Sequence, residues 1–291
     1  MRAMRRQAHA WGRPIRVGPG RHGLAGHALP PGAPSHAACP GAAQRAAHSR
    51  GDAADVSLPQ ARISHVNISA ALPLHLLHRN VLGTLATHSR APEGYPYPTV
   101  VPYAVDARHR PIVLVSGLAE HTRNLAADPR AGFLVVDGLG DAAGASDSVL
   151  EAERATLVGR FEPAGADPHV VARYLRYHPD GERYLALGDF TFWALACERL
   201  RYIGGFGRMG WLDATELDAL APVGYDDERA LWDEYGASRE RRAGLELLGV
   251  DRYGADWRLN GLKRRTPFDA PKMDVESLLA ALREAAAVSL M

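Results

Sequence analysis

Apolar residues arrive along this chain in short bursts separated by turn-forming residues. The runs Val81–Thr87, Tyr97–Ala104, Pro111–Ser116, Gly132–Val136, Arg154–Glu162, Phe190–Leu195 and Arg199–Ile203 are rich in Val, Leu, Phe, Tyr or Thr. Their length and spacing predict the strands of an all-β barrel. Turns are expected at Ser89–Gly94 and Asp106–Pro111, where Pro, Gly and Asp cluster. Helical patterns interrupt the strands at 69–79, with Asn67 or Ser69 as the cap, at Leu118–Ala127, stopped by Asp128-Pro129, and at Ala166–Arg176, entered through Asp167-Pro168.

After Trp211 the pattern changes. A charged helix is expected over Asp226–Arg242, with Leu231, Trp232 and Tyr235 facing inward. A hairpin follows from Leu245–Val250 to Ala255–Leu259, then an amphipathic helix over Val275–Ala285. This order suggests a small α+β unit at 214–291 behind a barrel at 67–213.

Residues 1–66 form the remaining part. The stretch 1–56 has eight arginines against two aspartates and almost no large aliphatics. It cannot bury enough apolar surface to offset its ordering entropy. A disordered extension or misassigned start, a transit peptide and a nucleic-acid-binding arm all remain open there. The whole chain, with net charge +1, gives no ground for a polyanion-binding protein. No apolar run is long enough to cross a bilayer as a helix. Cys39 and Cys197 make no disulfide framework, which fits a reducing, cytoplasmic compartment.

Three stretches offer chemistry. Ile112–Leu125 runs from a strand through a turn into a helix and collects Ser116, His121, Thr122, Arg123 and Asn124. Unpaired N–H groups at a helix start beside such side chains suit a phosphate, but a capped helix with a solvated arginine has the same pattern. In Gly94-Tyr95-Pro96-Tyr97-Pro98-Thr99-Val100-Val101-Pro102-Tyr103, Pro98 and Pro102 confine the strand to an edge or bulge. Such an edge leaves backbone groups for a flat heteroaromatic ring, or simply guards against aggregation. Tyr202–Trp211 is glycine-rich without a nucleotide fingerprint, and either lines a pocket beside Arg208 or turns a barrel corner. His75 and His78 have helical i,i+3 spacing but no third ligand nearby in sequence, so no metal site is expected. Nucleophile-elbow, Walker, CxxC and HExxH patterns are absent.

Taken in order, Gly94-Tyr95-Pro96, Ser116-x-Leu118-Ala119-x-His121-Thr122-Arg123-Asn124-Leu125-x-x-Asp128-Pro129-Arg130, Arg154-x-Thr156-x-x-Gly159, Arg173-Tyr174-Leu175-x-x-His178-Pro179, Asp189-Phe190 and Ile203-Gly204-Gly205-Phe206-Gly207-Arg208 resemble the FMN-binding split-barrel superfamily of the pyridoxamine 5′-phosphate oxidases. The haem-utilisation (HugZ-type) branch is the nearer likeness, and the residues from Gly249 onward resemble its small C-terminal domain. The resemblance implies a mainly β split barrel with helices, followed by a small α+β domain. It implies a homodimer with two FMN sites, each built from both subunits. Thr99, Val100, Val101, Pro102 and Tyr103 would line the flavin with backbone groups. Ser116, His121, Thr122, Arg123 and Arg154 would surround the phosphate, with Asn124 in the same segment and Arg208 near the pocket.

Two departures bear on activity. The oxidases' Arg-Lys pair is replaced by Glu120-His121-Thr122-Arg123, and the haem-degrading members' C-terminal histidine ligand has no counterpart after His178. The expectation is an FMN-dependent oxidoreductase acting on a small molecule, with no residue assigned as catalytic acid or base. A haem-binding or haem-degrading protein and a non-catalytic split barrel are the alternatives. Neither membrane nor nucleic acid is expected as a partner.

Overall fold

The computed structural model describes residues 68–138, 150–205, 207–217, 220–237 and 244–288, all within one compact unit, Ala61–Met291. The elements run α1 (Ala71–Arg79), β1 (Leu82–Arg90), β2 (Glu93–Val105), β3 (Pro111–Ser116), α2 (Glu120–Ala127), β4 (Arg130–Val136), β5 (Arg154–Pro163), α3 (Pro168–Tyr177), α4 (Gly181–Leu185), β6 (Phe190–Ile203), β7 (Met209–Asp213), α5 (Ala214–Leu217), α6 (Tyr225–Ala237), β8 (Leu245–Asp251), β9 (Gly254–Leu259), β10 (Leu262–Pro267) and α7 (Val275–Val288).

The large sheet has the order β3-β2-β1-β4-β5-β6-β7, and β3 also pairs with β6. That pairing closes β3, β2, β1, β4, β5 and β6 into a six-stranded antiparallel barrel. Closure removes sheet edges everywhere except along the first part of β2 and at β7. Alternation places Leu85, Val101, Tyr103, Phe133, Leu157 and Phe161 inside, each at most 5% exposed. Phe133 packs edge-on against both Tyr103 and Phe161, with ring centroids 5.2 and 6.0 Å apart.

A second core lies between the sheet β10-β9-β8 and helices α6 and α7, around Trp257, Leu231, Leu278 and Leu282. A third cluster joins the two, because Leu248 of β8 packs with Ala104, Ile112, Tyr174 and Tyr177. Arg173, 4% exposed, ties the same junction together. Its Nε donates to the Val105 carbonyl at 2.7 Å, and its Nη1 meets Glu228 Oε1 of α6 at 3.1 Å.

Several local expectations change. The two strands expected at Phe190–Leu195 and Arg199–Ile203 are one, β6, in which Glu198 is the extra residue of a bulge: Val158 pairs with Arg199 and Gly159 with Cys197. The apolar pattern lapses there because the ladder does. Ser69 does not cap α1, whose start at Ala70 has no side-chain cap; Asn67 lies outside the described residues. The Asp167-Pro168 start of α3 forms as expected, with the Asp167 side chain accepting from the His169 N–H at 2.9 Å. The Gly-rich segment turns a corner into β7, with Gly205 and Gly207 at φ 98° and 81° and the Gly204 N–H bonded to the Arg208 carbonyl. No helix among the described residues is long and apolar enough to cross a membrane.

Candidate functional site

The Pro-interrupted strand is an edge, as its sequence requires. Between Glu93 and Pro102, β2 pairs only with β1, and its pairing with β3 is confined to Tyr103–Val105. Against this stretch lies a cavity of about 410 Å³ walled by Val100–Pro102, Leu114–Ser116, the start of α2 and the α3–α4 corner. Val100 is exposed on the outer face, whereas the Val101 and Tyr103 side chains point into the barrel. Tyr103 donates its hydroxyl to the Leu77 carbonyl at 2.7 Å and is not part of the cavity wall. Thr99, half-buried, is the register partner of Leu85.

Two imidazoles reach the cavity, His121 at the start of α2 and His178 just beyond α3. Burial lowers the pKa of both, which favours the neutral form. His178 Nε2 lies 2.7 Å from the Tyr103 carbonyl oxygen. A carbonyl only accepts, so Nε2 carries the proton and Nδ1 keeps its lone pair. No lysine or arginine lines this cavity, while the acidic Asp180 does.

The other expected residues divide. Ser116 lines the cavity, but its hydroxyl donates to Asp189 and accepts from the Leu118 N–H, so it serves the turn. Asn124 is fully buried and donates to Thr87 Oγ1 at 3.0 Å; its Oδ1 and the buried Thr122 Oγ1 have no hydrogen-bond partner among the described residues. Arg123 is exposed, outside the cavity lining, and stands 3.8 Å from Glu120. Arg154 and Arg208 are far from it. Ser116 pairs with Phe190 at one end of β6 and Arg154 with Ile203 at the other, about 40 Å of strand path away. Arg154 donates to the Leu150 and Ala152 carbonyls, and Arg208 to the Gly204 carbonyl at 2.6 Å. One chain therefore does not gather the expected phosphate ligands.

A second cavity, of about 530 Å³, lies where the barrel meets the small sheet and is strongly basic, with Arg79, Arg258, Lys263, Arg264 and Arg265 in its wall. His178 lines both cavities. Lys263 donates to the Asn80 carbonyl at 3.0 Å and sits 4.5 Å over the Tyr177 ring. Burial lowers its pKa to about 8.

Comparison with known proteins places this architecture. Residues 66–218 match the family described as CREG, beta-barrel. The chain belongs to that family. Its fold is a mainly β split barrel closed by six strands, with a small α+β region behind it. A curated relative, the chloroplastic non-canonical heme oxygenase HOZ of Arabidopsis thaliana, is 32% identical over 135 residues, 45% of this chain. The match spans only 38% of that relative's length. Among solved structures, an Agrobacterium tumefaciens protein of unknown function superposes with a TM-score of 0.59 at 22% identity, covering 74% of this chain and 94% of that one. A heme binding protein from Mycobacterium smegmatis gives a TM-score of 0.48 at 27% identity, covering 77% and 98%.

His178, in the Arg173-Tyr174-Leu175-x-x-His178-Pro179 segment, lines the cavity without being among the expected site residues. Its signal was positional: a residue before proline leaves the helix, and so turns off α3 toward the β2 edge.

Proposed function

We propose that this chain binds haem in the cavity between the β2 edge, α2 and the α3–α4 corner. The observation that carries this reading is the chemistry of the wall: apolar, free of lysine and arginine, and supplied with His121 and His178 as neutral imidazoles. Neutral imidazole nitrogen is a haem-iron donor, and an apolar wall suits the macrocycle. A phosphate dianion would find Asp180 there and no cation. The name of the 32% identical relative, a heme oxygenase, supports the same choice. When bound, haem supplies iron and redox chemistry; the chain supplies the imidazoles, the apolar wall and the β2 backbone.

A flavin is the second reading, favoured by the β2 backbone between Glu93 and Pro102, which has no strand partner on the side away from β1. That reading requires a homodimer. Arg154 and Arg208 reach a Ser116-side cavity only if a second copy presents them, and Tyr95, Tyr97 and Val100 of β2 are exposed. Light scattering would then give twice the 31.4 kDa of one chain.

Titrating the purified chain with haem, FMN and riboflavin tests the proposal. Haem is expected to bind with a shifted Soret band, and the double substitution His121→Ala, His178→Ala to remove the shift. Arg123→Ala, which breaks only an exposed ion pair, should leave haem affinity within about twofold. Binding of FMN but not haem, weakened about ten- to a hundredfold by Arg123→Ala with riboflavin unaffected, would reverse the choice.

A further inference from the structure

Two histidines and an aspartate, remote from one another in sequence, meet where the barrel carries the small sheet. His78 stands in the last turn of α1 and is fully buried. His109 comes from the β2–β3 turn, with its backbone at φ 60°. Asp251 ends β8 and is 3% exposed. His78 Nε2 lies 2.8 Å from His109 Nδ1 and 3.5 Å from Asp251 Oδ2. One ligand atom from each of the three residues lies within 4.8 Å of the others.

The surroundings orient these atoms. Asp256 Oδ2 is 2.7 Å from His78 Nδ1 and also accepts from the Tyr177 hydroxyl at 2.6 Å. A carboxylate only accepts when ionised, so His78 carries its proton on Nδ1 and turns the Nε2 lone pair toward His109 and Asp251. This carboxylate–imidazole relay is the second shell that metal-ligating histidines use. Arg265 forks onto Asp251 at 2.7 and 2.9 Å and reaches Asp256 Oδ1 at 3.1 Å, fixing both carboxylates in place. The β2–β3 turn is held by Asp106, whose Oδ1 accepts from the Arg108 and Arg110 N–H groups at 2.8 and 2.9 Å. A non-glycine residue at positive φ is retained where the surroundings over-determine it.

We propose that His78, His109 and Asp251 form a binding site for a divalent first-row transition-metal ion, which pins the small C-terminal sheet to the barrel. Two imidazole nitrogens and one carboxylate oxygen are donors of the class that zinc and ferrous iron take, leaving a further position for water. Around a tetrahedral ion with bonds of about 2.0–2.1 Å, neighbouring donor atoms stand about 3.3 Å apart. The 3.5 Å spacing already meets this, and the 2.8 Å spacing has to widen by about 0.5 Å. In the metal-free protein a proton on His109 Nδ1 makes that contact a hydrogen bond to His78 Nε2. For the ion to take Nδ1, this proton moves to Nε2 of the neutral ring, and only a doubly protonated His109 would release a proton on binding. His75, three residues before His78 on the same helix, takes no part: its Nδ1 accepts from Arg265 Nε at 3.3 Å.

Full-length protein stripped with a chelator and titrated with Co²⁺ tests this, followed by equilibrium dialysis against Zn²⁺. The expected result is one equivalent of Co²⁺ with the intense visible absorption of a tetrahedral site, and one tightly held Zn²⁺. His109→Gln, its fold checked by circular dichroism, should abolish the cobalt spectrum. It should also weaken zinc by more than the ten- to hundredfold that a lost second-shell partner costs. Asp251→Asn is the second variant should the first not fold. A chain with His9, His22, His27, His36, His48 and His65 all changed to Gln should retain the signal, since none of them is among the three proposed ligands. No tetrahedral cobalt spectrum in the wild type, or an unchanged one in folded His109→Gln, overturns the proposal. The three residues would then be a hydrogen-bonded clamp only.

Discussion

His178 Nε2 and the Tyr103 carbonyl oxygen lie 2.7 Å apart, which ties the end of α3 to the point where β2 passes from a free edge into the closed barrel. The bond needs the proton on Nε2, and burial keeps the ring neutral. Folded His178 and His121 therefore have pKa values below the ordinary histidine value of 6.5. As pH falls through about 6.5, the unfolded chain takes up protons that the folded chain refuses, so these residues make stability fall with pH. Thermal melts should show the loss between about pH 7 and 5, and His178→Gln, which keeps an N–H donor, should reduce its slope. A wild-type midpoint independent of pH over that range would contradict the neutral assignment.

Glu228 is the carboxylate on which the α3–α6 contact depends. It is 7% exposed and accepts from Arg173 at 3.1 Å and Arg176 at 2.8 Å. Glu228→Ala leaves the buried Arg173 guanidinium without its counter-charge and should cost about 3–5 kcal/mol, read from the denaturant midpoint. Arg176, less buried and stacked 4.3 Å over Trp232, keeps a partner when Glu228 is lost. A cost below about 1 kcal/mol would place this pair among ordinary surface bridges.

Gly159 shows how far a motif can be read before its reason is seen. It stands in the Arg154-x-Thr156-x-x-Gly159 segment that carries part of the family likeness, with no local signal of its purpose. In the barrel it faces the β6 bulge, and a Cβ there would strike the Ala196 carbonyl oxygen, a backbone atom that cannot rotate away. Gly159→Ala should destabilise by about 1–3 kcal/mol or more, whereas Gly94→Ala meets open space and is opposed only by its φ of 80°. Equal melting temperatures for wild type and Gly159→Ala would show that the bulge yields.

The barrel strands were legible because their inward positions alternate with polar ones and the breaks hold Pro, Gly and Asp. β10 was not. Its Lys263-Arg264-Arg265-Thr266 sequence has no apolar alternation, since the side chain it turns inward, Arg265, is matched by Asp251 and Asp256 rather than by hydrocarbon. β7 was hidden for a related reason, as an edge strand after a glycine corner with one buried residue, Leu212. The edge character of β2 followed directly from Pro98 and Pro102. The grouping of His78 with His109 and Asp251 had no local trace, because each residue is delivered by a different element and only tertiary packing brings them together.

Lys263 gives the last prediction. It is one of two lysines in the chain and lines the basic cavity beside Tyr177 and Arg265. Burial dominates its surroundings, and although the Asp256 carboxylate favours the ammonium, neighbouring arginines oppose it; the net result is a pKa of about 8. At pH 8 about half of its amines are then uncharged and nucleophilic, against well under 1% for a lysine at about 10.4. A small amine-reactive acylating reagent at limiting concentration should modify Lys263 well ahead of Lys272, as read by peptide mass spectrometry. The ratio should collapse below about pH 7, where the Lys263 amine is protonated. Stability follows the opposite limb. Between about pH 8 and 10.4 the unfolded chain holds a proton that folded Lys263 has lost, so this residue makes stability rise across that window. Lys263→Met should flatten the rise while keeping most of the side-chain volume. Preferential modification of Lys272 would mean that the Lys263 amine stays charged or is closed off, and with it the reading of this cavity wall would fall.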